Sequence, residues 1–118
     1  MSILQILKII GAVLTLATGI FSLVAPRAIQ GFTGLTAPGA RGISEFRAVF
    51  GGLFIALGAV PLVLNSPVAY NVLGYGYLTI GVVRAVSIVF DKSYERSNII
   101  SLAVEIVCGL ILSAPNLF

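Results

Sequence analysis

The sequence predicts an all-α, integral membrane four-helix bundle, and three observations carry that prediction. Four apolar stretches, each close to the ~20 residues that cross a hydrocarbon core, are separated by breaks marked by proline, glycine or charge. Only 9% of the 118 residues are charged against 58% hydrophobic, whereas a soluble domain carries about 25% charged residues, and a soluble chain this short has too much surface to hide the rest. Within the apolar stretches, small and polar residues recur every third or fourth position, on one side of a helix. The chain therefore reads as a single transmembrane domain over 1–118, with spans at about 3–25, 44–64, 67–90 and 98–114.

The first span, 3–25, carries Lys8 near its start, where a long side chain can snorkel to the interface. Gly11, Thr15 and Gly19 give it a small face that lets another helix approach. A signal peptide with Lys8 in its charged region is the rival reading. No small-x-small cleavage site follows, and three further spans do.

Residues 26–43 form the long connection. Pro26 ends the first span, and Pro38 with the neighbouring glycines argues against a second regular helix before 44. Ile29, Phe32 and Leu35 suit the membrane surface; the sharper alternative is a lid over a cavity. The second span, 44–64, has Ser44 as its expected N-cap and Glu45 at the positive end of the helix dipole. Arg41 and Glu45 are i,i+4 neighbours if the helix begins earlier. Two small faces lie side by side, Ala48–Gly52–Ala56 and Arg47–Gly51–Phe54–Gly58. Pro61 is placed to kink the far end, and Asn65, Ser66 and Pro67 read as a tight turn.

The third span, 67–90, holds the most informative stripe: Tyr70, Gly74, Tyr77, Gly81, Arg84 and Ser87, continued by Asp91. A polar and small stripe on an otherwise apolar helix should turn towards other helices. A short charged loop, 91–97, leads to the fourth span, 98–114, where Ser101, Glu105, Gly109 and Ser113 share one face. Cys108 reads as a small buried apolar residue, and Pro115 ends the helix.

Composition excludes more chemistry than the motifs add. There is no His and a single Cys, so no internal disulfide, C-x-x-C pair, zinc, copper or haem site is expected from this chain alone, and Ser-His-Asp or Cys-His catalysis is ruled out. No metal, no cofactor and no catalytic residue is expected, and the chain is read as a non-enzyme. The net charge of +3 is spread over the segments without forming a basic patch, so no nucleic-acid partner is expected. It is topology information instead. Arg27, Arg41, Lys92 and Arg96 lie in loops that share a side, and the other side has only Lys8. The positive-inside rule then puts loops 26–43 and 91–97 in the cytoplasm and both termini outside, in a cell inner (plasma) membrane.

The residues that could carry function are the charges inside the spans. At 1.5 Å per residue, Arg84 and Glu105 fall at similar depth, roughly 10 Å in from the loop side, with Arg47 shallower and Glu45 and Asp91 near the surface. A charge at mid-membrane costs about 2.5–3.5 kcal/mol on insertion scales, so Arg84 and Glu105 should pair. One reading is structural: Glu45, Arg47, Arg84, Asp91 and Glu105 form a polar cluster, and the pair fixes helix register. The other makes Arg47, Tyr77, Arg84, Ser87 and Glu105 a binding site for a lipid or for a small hydrophobic or anionic molecule, open to the cytoplasmic leaflet.

The stretches E-F-R-A-V-F-G-G at 45–52, G-V-V-R-A-V-S-I-V-F-D at 81–91 and E-I-V-C-G at 105–109 resemble a bacterial family of four-span integral membrane proteins of unknown function, and more loosely the DoxX-like membrane proteins. In that family a Gly and a Pro tend to follow the Asp, whereas Lys92, Ser93 and Tyr94 follow Asp91 here. The resemblance implies a four-helix membrane protein with matching charges at Glu45, Arg47, Arg84, Asp91 and Glu105, and no established activity. Small multidrug-resistance exporters also have four spans, but they depend on a Glu in the first, where this chain has none. The expected function is an accessory subunit or a binder of a lipid or small molecule, with a proton-coupled transporter using Glu105 as the alternative. The partners expected are the bilayer, such a ligand, and a homo-oligomer or larger membrane protein.

Overall fold

The computed structural model describes residues 1–115, and every regular element among them is helical. Helix α1 is Ile3–Val24. A 3-10 turn at Pro26–Ile29 and a helical turn at Gln30–Thr33 follow it. Helix α2 is Gly39–Leu64, α3 is Pro67–Phe90 and α4 is Arg96–Ser113. All four long helices are long and apolar enough to cross a membrane. Their outward faces are rows of Val, Leu and Ile: Val82, Val83, Val86 and Val89 on α3, and Val104, Val107 and Leu110 on α4, are all exposed. Contiguous apolar surface of this kind suits hydrocarbon and not water.

The chain divides into two compact units. One contains Met1–Ile9 and the chain from Ser66 onward; the other is Ile10–Asn65.

In the Ile10–Asn65 unit, α1 and α2 form an antiparallel hairpin held by glycines. A Cβ on Gly58 would stand 2.4 Å from the Leu16 backbone nitrogen, and one on Gly19 would stand 2.6 Å from that of Ile55. Gly51 meets Leu23 in the same way. The small face predicted for α1 is therefore in use: Gly11, Ala12, Thr15, Gly19 and Ser22 are all buried. Its hydroxyls return to their own helix, Thr15 Oγ1 donating to the Gly11 carbonyl and Ser22 Oγ to that of Thr18, so neither needs water in the membrane. Of the two small faces expected on α2, that of Gly51 and Gly58 packs, while Gly52 faces open space with its nearest neighbour 4.0 Å away.

Helix α2 begins earlier than expected. Pro38 is extended and caps a helix that starts at Gly39, whose φ is +74°. Ser44 therefore lies inside the helix and caps nothing, and Glu45 lies beyond the first turn, away from the dipole's positive end. The expectation failed because proline is compatible with a helix N-terminus even though it breaks an interior. A π-helical segment, Phe46–Leu53, then interrupts the α geometry. Nothing in the sequence signals it beyond the flexible pair Gly51–Gly52. Pro61 is buried inside the helix, which ends with Asn65 in the left-handed conformation (φ 48°, ψ 43°) donating to the Pro61 carbonyl. Ser66 then caps α3 by accepting from the Ala69 amide, with Pro67 as the first helical residue. The predicted tight turn forms as expected.

In the other unit, α3 and α4 form a second antiparallel hairpin. Gly74 lies against Leu112 and Ser113, Gly109 against Leu78, and Gly81 against Ile106 and Glu105. Tyr70, Gly74 and Gly81 on α3, and Glu105 and Gly109 on α4, are buried. The polar and small stripes read from the sequence are therefore the packed faces. Lys8 departs from expectation. It does not snorkel; it is 1% exposed, and its ammonium donates to the Ala114 carbonyl at 2.6 Å. The last carbonyls of α4 have no intrahelical donors, and a cation at the negative end of the helix dipole satisfies that of Ala114. Cys108 is half-buried, where full burial was expected.

Candidate functional sites

Two ion pairs of the same chemical type sit in very different surroundings. The first is Arg84–Glu105. Arg84 lies two turns before the end of α3, and Glu105 lies where the antiparallel α4 passes it. The contact is bidentate: Nε donates to Oε1 at 2.6 Å and Nη2 to Oε2 at 2.8 Å. The third nitrogen, Nη1, donates to Asn98 Oδ1 at 2.7 Å. Asn98 Nδ2 in turn donates to the Ser93 carbonyl at 3.2 Å and hydroxyl at 3.0 Å. The Glu105 side chain is 11% exposed and that of Arg84 is 32%. Every nitrogen of Arg84 and both oxygens of Glu105 are engaged, and Asn98 chains the buried pair to the 91–95 loop. A planar guanidinium matches a carboxylate in this fork geometry.

Asn98 is not among the residues expected from the sequence, although it carries a signal. It lies seven residues before Glu105, two turns along α4, on the face that carries Ser101 and Glu105. The other predicted residues are distributed as follows. Ser87 Oγ donates to Asp91 Oδ2 at 2.6 Å at the end of α3, so both side chains are used locally. Tyr77 is half-buried. Arg47, expected beside Arg84, belongs to the Ile10–Asn65 unit; its side chain is exposed and makes no hydrogen bond or ion pair among the described residues.

The second pair is Arg41–Glu45, one turn apart on α2 and highly exposed, with side chains 80% and 56% accessible. Here a single Nη1–Oε1 contact forms. The Glu45 Oε2 atom and the remaining Arg41 N–H groups have no protein partner among the described residues. Glu45 also lines an open hollow of about 290 Å³ whose other walls include Leu35, Ala37, Phe46, Val49 and Phe50.

That hollow is a built feature. Gly34, at φ +75°, turns the chain out of the 30–33 turn. Thr33 Oγ1 accepts from the Leu35 amide at 3.2 Å. Gln30 Oε1 accepts from the Ala37 amide at 2.8 Å. The strap 34–37 then lies on α2 at Gly42, where a Cβ would meet the Ala37 Cα at 3.0 Å. On the α2 side, the π-helical segment places Phe46 and Phe50 with ring centroids 5.4 Å apart. π-Helical turns occur frequently at functional sites. A lid in this connection is an expectation from the sequence, but Gln30, whose side chain fixes the strap, carries no signal there.

No group of three or more His, Cys, Asp or Glu side chains that could hold a metal occurs among the described residues. A family model described as a domain of unknown function (DUF4345) matches residues 3–114. No curated protein and no solved structure matches the chain significantly.

Proposed function

The chain belongs to the DUF4345 family, and we propose that it is a non-catalytic integral membrane protein that binds a lipid or lipid-like amphiphile at the hollow between the 34–37 strap and α2. The observation that carries this reading is the contrast between the two ion pairs. Arg84–Glu105 engages every guanidinium nitrogen and both carboxylate oxygens within the protein, and acts as a clamp within the α3–α4 hairpin. Arg41–Glu45 is open, and its Glu45 carboxylate lines the edge of an apolar hollow. At about 290 Å³ the hollow lies at the small end of the range for ligand sites, roughly 300–1,000 Å³. It suits a segment of acyl chain better than a large rigid ligand, and a bilayer supplies such chains at high concentration. A proton-coupled transporter working through Glu105 has less support, because a carboxylate gripped by both oxygens must first lose Arg84 before it can exchange a proton or a ligand.

In this reading the protein sits in a cell inner membrane. The Arg27, Arg41, Lys92 and Arg96 side puts loops 26–43 and 91–97 in the cytoplasm and both termini outside. The hollow then faces the cytoplasmic leaflet, which is rich in anionic and zwitterionic headgroups.

The test is a titration of delipidated protein in detergent with a single-chain lysophospholipid, reading the melting temperature with a thiol-reactive fluorophore on Cys108. A ligand that binds only the folded state stabilises it by about 2.7 kcal/mol at a hundredfold excess over Kd. A saturable rise in melting temperature is expected, and Val49→Trp, which fills the hollow, removes it. A rise that never saturates, or one unchanged in Val49→Trp, contradicts the proposal.

A further inference from the structure

The geometry points to a lipid headgroup that carries both a phosphate and a primary ammonium as the polar end of what the hollow accepts, an inference that rests on the amphiphile-binding reading above. A hollow walled by Leu35, Val49, Phe46 and Phe50 explains affinity for a chain but not for any particular headgroup. The headgroup is set by what stands at the edge. There the protein offers the Glu45 carboxylate, and bonded to it, one helical turn away, the Arg41 guanidinium, each with unused capacity. Arg41 contributes one of its N–H groups to Glu45, and a guanidinium has five, arranged as a fork that fits a phosphate. Glu45 contributes one oxygen, leaving the other able to accept from an ammonium.

An exposed i,i+4 pair is weak, so it rearranges readily around a bound group. A headgroup with phosphate and ammonium on adjacent positions complements both charges at once. A purely anionic headgroup satisfies Arg41 but stands beside the Glu45 carboxylate, which repels it. A quaternary ammonium has no N–H to donate to Glu45. The order of preference is therefore phosphatidylethanolamine, then phosphatidylcholine, then phosphatidylglycerol.

This is tested by native mass spectrometry of the full chain released from nanodiscs containing equal parts of the three lipids. Wild type should retain phosphatidylethanolamine over phosphatidylglycerol by about tenfold, the scale of one charge-assisted hydrogen bond. Glu45→Gln should erase that preference without abolishing retention, because the apolar walls remain. The Arg41→Glu/Glu45→Arg exchange restores the pair in reverse order and shows whether position or charge alone matters; loss of the preference here too supports a headgroup read in one orientation. Equal retention of the three lipids by wild type, or a preference unchanged in Glu45→Gln, overturns the headgroup inference and leaves amphiphile binding standing. Absence of any retained lipid in wild type overturns the amphiphile-binding reading itself, and this inference with it.

Discussion

Replacing Arg84 and Glu105 singly and together separates a structural clamp from a site held under strain. The two changes are not equivalent. Arg84→Gln leaves a carboxylate that is 11% exposed without the two donors that now grip it. Removing one partner of a buried ion pair costs about 3–5 kcal/mol. Glu105→Gln leaves a guanidinium that is 32% exposed and still bonded to Asn98. Its cost is closer to that of lost charge-assisted hydrogen bonds, about 1.5–3 kcal/mol. In the double variant two neutral amides face each other and no charge is stranded. It should be milder than the sum of the singles by about 0.5–3 kcal/mol, the range for residues in direct contact. The assay is unfolding in mixed micelles with increasing dodecyl sulfate, followed by fluorophore labelling of the half-buried Cys108. Singles as stable as wild type, or losses that add to within about 0.5 kcal/mol, would refute the clamp.

Further consequences concern the helix contacts and the loop. Gly58→Ala places a methyl group 2.4 Å from the Leu16 backbone nitrogen and should cost at least the roughly 1–3 kcal/mol of overpacking; Gly52→Ala, with open space around it, should be neutral or stabilising by up to about 1 kcal/mol, and dodecyl sulfate unfolding compares the two. Lys8→Met removes the donor to the Ala114 carbonyl, and amide hydrogen exchange at the end of α4 should speed up while the α1–α2 hairpin is unchanged. The Glu95 carboxyl is held below the ordinary glutamate value, chiefly by the hydrogen bond it accepts from Ser93 and then by a backbone contact. A depressed carboxyl contributes stability above its unfolded pKa and loses it as pH falls through the folded one, so loosening of the loop begins below about pH 4.3. Ser93→Ala should flatten that dependence in hydrogen exchange.

Much of the architecture was legible because it rests on helical periodicity. The stripes Gly74–Gly81–Arg84 and Glu105–Gly109 repeat every third or fourth residue, and the same spacing fixes which face packs. Pairing of Arg84 with Glu105 followed from depth alone, since two unpaired charges cannot both remain in hydrocarbon. The departures have local causes. Pro38 can start a helix as readily as it breaks one, and that choice depends on the strap that folds back over Gly42. The π-helical turn at Phe46–Leu53 reflects packing that no pattern of side chains announces. Lys8 became a helix cap because its partner is a backbone carbonyl 106 residues away, and backbone acceptors leave no trace in a sequence. The hollow was legible only as a generic lid, because its walls depend on Gln30 meeting the Ala37 amide.

The most direct test of the account compares bound amphiphile in three forms of the protein purified in parallel: wild type, Val49→Trp and the Arg84→Gln/Glu105→Gln double variant. Native mass spectrometry counts the adducts. If the hollow binds and the clamp only supports, wild type and the double variant each carry one tightly held amphiphile, and Val49→Trp carries none. If instead the double variant loses the adduct and Val49→Trp keeps it, binding belongs to the Arg84–Glu105 cluster and the account is wrong.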